Sequence, residues 1–138
     1  MLLIFLFLGL QAYVQDVRLI NNEMVKVAKW INVNTDEDAL IATHDIGAIG
    51  YFAERPLLDL AGLISPEVIP FLAEDEALTD YVRRSDANYL VTAPGWPYQA
   101  LTQSDNATEI YTTGFIGSQN QGVNNMAVYL LKGEESEN

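Results

Sequence analysis

The first fourteen residues carry no charge, and in Met1-Leu-Leu-Ile-Phe-Leu-Phe-Leu-Gly-Leu10 followed by Gln11-Ala-Tyr-Val14 only Gln11 breaks the apolar run. A helix that is apolar on every face has no stable place on the surface of a small water-soluble domain; it needs lipid or a large core around it. Fourteen residues of helix reach about 21 Å, short of the roughly 30 Å hydrocarbon layer of a bilayer. Three readings compete: the C-terminal part of a transmembrane helix that starts upstream, a secretory signal or short anchor, and a core helix. A signal is the weaker fit, because no basic residue precedes the run and no clean small-residue cleavage site follows it. A core helix would need one polar face, which the run lacks. The run therefore reads as the end of a membrane span, with Tyr13 at the level of the lipid headgroups.

All the charge lies after it. The 138-residue chain has 7 Lys+Arg against 19 Asp+Glu, a formal net charge of -12 and a pI near 4.1. Such a field repels phosphate backbones, so nucleic acid is excluded as a partner. Cysteine is absent, which removes disulfides, thiol catalysis and cysteine-ligated metals. A hydrophobic content of 49% is too high for a disordered acidic chain and sufficient for the core of one domain.

Beyond the run, Val17, Ile20, Met24, Val27, Ala28 and Ile31 form one helical stripe, with Arg18, Glu23, Lys26 and Lys29 off it and Trp30 able to close its end against a sheet. Short apolar runs over 39–43, 57–60, 88–92, 110–113 and 126–131 predict five strands. Helical turns are expected over 46–52, 67–71, 75–84 and 98–103, with Ser65-Pro66 as a helix start. The Gly-, Asn- and Gln-rich stretch 117–125 reads as a loop. Strands alternating with short helices predict an α/β fold: a small, mostly parallel sheet flanked by helices, preceded by the end of a transmembrane helix. The last strand pair, joined without a helix, should be antiparallel. The organisation expected is a truncated span over 1–14, a soluble α/β domain over 15–133 and a disordered acidic tail over 134–138.

The candidate ligand-binding residues are His44, Asp45 and Asp59. His44 and Asp45 follow the first strand and Asp59 lies in the second, and in open α/β sheets ligands bind at the carboxyl ends of strands. One imidazole beside carboxylates could serve acid–base or metal chemistry. In the competing structural reading, His44 and Asp45 cap the next turn while Asp59 pairs with Arg55 or a helix N-terminus. The Asp45-Ile-Gly-Ala-Ile-Gly50 stretch lacks the Lys-Ser/Thr of a phosphate loop, and Gly47 and Gly50 read as close-packing positions. Gly-x-Ser-x-Gly does not occur. The 94–98 loop, Pro-Gly-Trp-Pro-Tyr, offers aromatics for a sugar ring, for a membrane interface, or for packing on the sheet rim. Composition and spacing assign no catalytic residue, no metal and no cofactor.

The run His44-Asp-Ile-Gly-Ala-Ile-Gly-Tyr-Phe52, with Arg55-Pro-Leu-Leu-Asp-Leu-Ala-Gly-Leu63 and Ser65-Pro-Glu67, resembles a stretch in bacterial polytopic membrane glycosyltransferases of the GT-C type, the polyprenyl-phosphate-sugar-dependent mannosyltransferase and aminoarabinose transferase group. Asp16-Val-Arg-Leu-Ile-Asn-Asn-Glu23 and Ala28-Lys-Trp-Ile31 are similar to the linker helix there, and the likeness spans roughly residues 12 to 131. The resemblance implies that this chain is the non-catalytic C-terminal domain of such an enzyme, outside the cytoplasm of a bacterial inner or plasma membrane. The parent would take sugar from a lipid-phosphate donor. Catalytic acids in that group lie in early loops between spans, so none is carried over to this chain. The partners implied are the membrane, through the N-terminal helix, and a lipid-linked sugar, through the parent. Arg18, Lys26 and Lys29 follow the span while no basic residue precedes it, which taken alone favours a cytoplasmic domain. A free-standing anchored ligand-binding module and a small hydrolase with His44 as its base are the alternative readings.

Overall fold

The apolar run and the stripe after it form one continuous helical rod. In the computed structural model, which describes residues 1–132, helix α1 (Leu2–Ile20) passes through a π-helical turn (Asn21–Val25) into helix α2 (Lys26–Asn34). The expected tail over 134–138 lies outside the described residues. A π turn holds one residue more than an α turn, so it rotates the following face. Its effect on the stripe is specific. Val27, Ala28 and Ile31 are buried as expected, but Ile20 stays about half exposed and Glu23, expected off the stripe, is buried in its place.

Strands β1 (Ile41–Thr43), β2 (Leu57–Asp59) and β3 (Tyr89–Thr92) run parallel, with Ile41 opposite both Leu57 and Tyr89. Strand β5 (Ala127–Leu131) returns antiparallel to β3, and β4 (Ala107–Thr112) is antiparallel to β5, giving the order β2-β1-β3-β5-β4. The sheet is therefore mixed, not mostly parallel. β5 inserts between β3 and β4 and so adds a second antiparallel pairing to the expected one, which the 113–126 connection sets. Its only helix is α6 (Ile116–Asn120), a single turn that cannot carry the chain back along the sheet, so the chain reverses into β5. That helical turn also replaces part of the loop expected over 117–125.

The strand pleat divides the core into two. Ile41, Val91 and Val128 face α2 and helix α3 (Ile46–Phe52), which contributes Ile49. Ala42, Leu90, Ala127 and Tyr129 face the other way, under the 3-10 helix Pro66–Phe71, helix α4 (Asp75–Arg84) and the short helix α5 (Gln99–Thr102), which bring Val68, Leu78, Val82 and Leu101. Gly50 lets α3 sit close on β2, since a Cβ there would stand 3.3 Å from Leu57 Cδ1. Trp30 lies flat on Tyr111 of β4, ring centroids 4.6 Å apart.

Hydrogen bonds at its two ends fix how α2 crosses the sheet. At one end Glu23 bonds Thr113 and the Met126 amide, beside the end of β4 and the start of β5. At the other, Arg55, just before β2, donates to the carbonyls of Asn32 and Thr35 at 2.6 and 3.0 Å. The carboxyl ends of β1, β2, β3 and β4 thus lie at the edge from which α1 departs.

Candidate functional site

β1 and β3 are neighbours whose onward connections diverge, β1 to β2 on one side and β3 toward β4 and β5 on the other. Such a switch point opens a crevice at the carboxyl ends of the two strands. His44, the first residue after β1, meets Trp96 of the loop after β3 edge to face, ring centroids 5.7 Å apart and planes at 83°. The sequence-expected imidazole and the sequence-expected aromatic loop are therefore brought together, with His44 exposed to solvent.

Asp45 takes the structural alternative. It is the N-cap of α3, its Oδ1 accepting the Gly47 N–H at 3.1 Å, which satisfies one of the helix's unpaired donors. Asp59 is fully buried opposite Thr43. Its Oδ1 accepts the Ala61 N–H at 2.8 Å, and its Oδ2 accepts those of Ile64 at 2.6 Å and Ser65 at 3.3 Å. Burial by itself pushes this carboxyl up, but the N–H groups of Ile64, Ala61, Ser65 and Leu63 outweigh it and hold Asp59 below the ordinary carboxylate value. Asp59 does not pair with Arg55, whose guanidinium is spent on carbonyls at the opposite edge. Nor does Ser65 cap with its hydroxyl; its amide serves Asp59 instead. Both aspartates organise backbone, and His44 is left as the accessible polar group.

Two residues outside the sequence-level expectation carry the unusual chemistry. Tyr98 closes the Trp96 loop with φ at 82°, a left-handed conformation that strains a bulky side chain. It is fully buried, its N–H donates to the Asp75 carboxylate, and its hydroxyl has no partner among the described residues. Burial, then the charges of Asp75 and Asp59, push the phenol up to about 12. The buried hydroxyls of Thr79 and Thr92 are likewise unpartnered among the described residues. Glu23 is the second. Its carboxylate is 1% exposed and accepts from Thr113 Oγ1, Ser118 Oγ, Asn125 Nδ2 and the Met126 N–H. The polar cluster Thr113, Ser118 and Asn125 was the only trace of it in the sequence, and nothing local connects those positions to a residue some ninety places earlier.

A hydroxyl without a partner contributes nothing by being there and costs desolvation. Tyr98→Phe is therefore expected to be neutral or stabilising, by up to about 2 kcal/mol, in urea unfolding at pH 7. The raised phenol sets a sign for alkaline pH as well. Folded protein holds that proton longer than unfolded chain, so stability is complete below about pH 10 and falls as pH rises from there toward about 12. Tyr81, Tyr111 and Tyr129 are raised too, chiefly by burial, so the contribution of Tyr98 is the part of the alkaline loss that vanishes in Tyr98→Phe.

Chemically, the edge offers an imidazole against an indole. No carboxylate among the described residues hydrogen-bonds His44, and no group of three or more His, Asp or Glu side chains among them converges as a metal site would require. The chain belongs to a family described as "Domain of unknown function (DUF8728)", whose model matches residues 11–129. It is also 34% identical over 89 residues to an uncharacterized calcium-binding protein of Schizosaccharomyces pombe; that alignment takes in 63% of this chain and 44% of the relative's length. No solved structure matches.

Proposed function

We propose that this member of the DUF8728 family is a non-catalytic, membrane-tethered α/β domain serving as the C-terminal extracytoplasmic part of a membrane glycosyltransferase that draws sugar from a lipid-phosphate donor. The observation that carries the tether is the rod itself. The helix from Leu3 to Asn34 contains a stretch apolar and long enough to cross a membrane, none of it buried against the domain, and the same helix ends on the face of the sheet. A rod of this kind passes orientation from the bilayer to the domain without a hinge loop. The non-catalytic reading is supported by Asp45 Oδ1 and both Asp59 oxygens, which backbone N–H groups engage, and by an imidazole with no carboxylate among the described residues to orient it. The glycosyltransferase reading is supported by the resemblance across residues 12–131 and by the direct run of span into domain that it implies. The name of the yeast protein mentions calcium, but no three His, Asp or Glu side chains converge among the described residues of this chain, and Asp59 and Glu23 accept from N–H and O–H donors with both oxygens.

The genomic frame upstream of Met1 is expected to stay open and to encode further apolar spans with an acidic residue in an early loop. In that full-length protein, His44→Ala is expected to leave sugar transfer from a polyprenyl-phosphate donor within about twofold, as an exposed substitution leaves the fold intact. An in-frame stop just upstream, or loss of transfer in His44→Ala, would sink the proposal.

A further inference from the structure

We infer that the edge of the domain from which α1 departs rests in the lipid headgroup layer, so that the protein touches the membrane twice, by its span and by this rim. The inference rests on reading α1 as a span.

Charge is sorted between the two ends of the sheet. Every connection at the far edge is charged: Asp36, Glu37 and Asp38 before β1, Glu54 and Arg55 before β2, Asp86 before β3, Asp105 before β4 and Lys132 after β5. At the near edge, residues 60–66, 93–98 and 113–126 contain no Asp, Glu, Lys or Arg. The fourth near-edge turn adds Asp45, whose Oδ1 is taken by Gly47. Large apolar side chains project from these uncharged turns instead: Leu63 is 74% exposed, Ile64 63%, Ile116 68% and Val123 41%. Apolar groups left in water at one end of a strongly acidic domain mark a contact surface.

The turns form one platform. Asn124 Nδ2 donates to the Pro94 carbonyl and so ties the β4–β5 connection to the Trp96 loop. Asn125 Nδ2 donates to the Phe115 carbonyl at 2.9 Å and to Glu23 Oε1 at 2.7 Å, tying it to the rod. Asp59 braces the Leu63–Ile64 turn in the same way. Loop backbone satisfied from within can enter a layer where water is scarce.

Depth follows from helix rise. α1 carries no charge before Asp16 and Arg18, so these two residues mark where the helix leaves the hydrocarbon. With Arg18 at the boundary, Glu23, about 7.5 Å further along the helix, lies at the outer side of a headgroup layer about 5–7 Å deep. The platform bonded to Glu23 lies at the same level. Arg18, with its long apolar stem, can carry its guanidinium outward from that boundary. The carboxylates Glu74, Asp75 and Glu76 at the start of α4 tilt contact toward the opposite flank, and a net charge of -12 selects uncharged lipid over anionic lipid.

The chain has no cysteine, so single reporters can be placed on it. Full-length chain carrying Leu63→Cys, Ile116→Cys or, at the far edge, Val33→Cys would be nitroxide-labelled and reconstituted in phosphatidylcholine vesicles. Collision with oxygen and with a water-soluble nickel chelate then reads depth. Labels at 63 and 116 are expected to be several-fold less accessible to nickel than the label at 33, and Ile116→Asp is expected to restore access at 63. Co-flotation with the vesicles and nickel access at 63 and 116 equal to that at 33 would overturn the rim contact while leaving the span intact. Failure to co-float would remove the span, and the rim contact with it. Spin–spin broadening that disappears on dilution with unlabelled chain would place a second copy on the rim instead of lipid, and would also overturn the inference.

Discussion

Glu23→Ala is expected to cost about 3–5 kcal/mol of stability, the largest effect of any single substitution proposed for this domain. The carboxylate accepts four donors from three separate places, two hydroxyls, a side-chain amide and the Met126 N–H. Removing it leaves the Thr113 and Ser118 hydroxyls and the Met126 N–H buried and unpaired, while Asn125 Nδ2 keeps the Phe115 carbonyl. Each unpaired buried donor costs about 1–3 kcal/mol before any relaxation or water entry. Glu23→Gln keeps the volume but points an N–H₂ group at donors, so an intermediate loss is expected. The damage should also be local first. These bonds hold α6 and the start of β5 to the rod, so amide exchange at Met126 and Val123 should accelerate before that of the central strand β3. Urea unfolding in detergent, followed by circular dichroism, gives the first number and hydrogen exchange the second. A loss below about 0.5 kcal/mol would mean that the cluster is not the clasp its geometry describes.

Asp59→Asn is expected to cost about 2–4 kcal/mol, because a single amide cannot accept at both of the atoms on which the 60–65 turn depends. The acid limb of the stability profile tests the cause. The backbone N–H groups hold Asp59 below the ordinary value of 3.8 that it regains on unfolding. Below that value the unfolded chain binds a proton more readily than the folded protein, so stability rises with pH there. Its contribution is complete above about pH 4–5 and is lost as pH falls through the folded value. Part of the acid-side slope should therefore disappear in Asp59→Asn. An unchanged slope would show that the three backbone bonds are not what sets this carboxyl. Gly62 belongs to the same turn: its φ is 77°, and a Cβ would stand 2.8 Å from Ile69 Cγ1, so no other residue closes the loop around Asp59 without strain.

The candidate site was legible where local chemistry decides. Asp45 could be read as a cap because an Asp two residues before a glycine, at the start of a helical run, satisfies a donor that the helix itself cannot. The meeting of His44 with Trp96 needed more. Each was a candidate on its own, but their contact depends on β1 and β3 being adjacent, and 47 residues lie between Thr43 and Val91, which face each other in the sheet. Of the two structural partners expected for Asp59, Arg55 and a helix N-terminus, it meets the second in part, accepting the N–H of Ser65, the N-cap of the 3-10 helix, and not the first. Arg55 is near it in sequence, yet β2 carries the two to opposite edges.

What the sequence determined by itself follows from short-range rules: an apolar start that demands lipid or burial, five strands marked by apolar runs, a Pro-started 3-10 helix, and an amphipathic α4 with Leu78 and Val82 inward. Periodicity and composition encode these because the interactions that form them lie within a few residues. Tertiary structure alone decided the rest. The sheet became mixed because β5 inserts between β3 and β4, adding an antiparallel pairing with β3 to the expected one with β4. The stripe rotated because a π turn pairs with a polar pocket built from the far end of the chain, drawing Glu23 inward where Met24 was expected. Tyr98 holds a strained backbone because the Trp96 loop must return under α4, where Asp75 receives its N–H. In each case the deciding partner is distant in sequence, and a buried polar group goes where its hydrogen bonds can be completed, which no local pattern records.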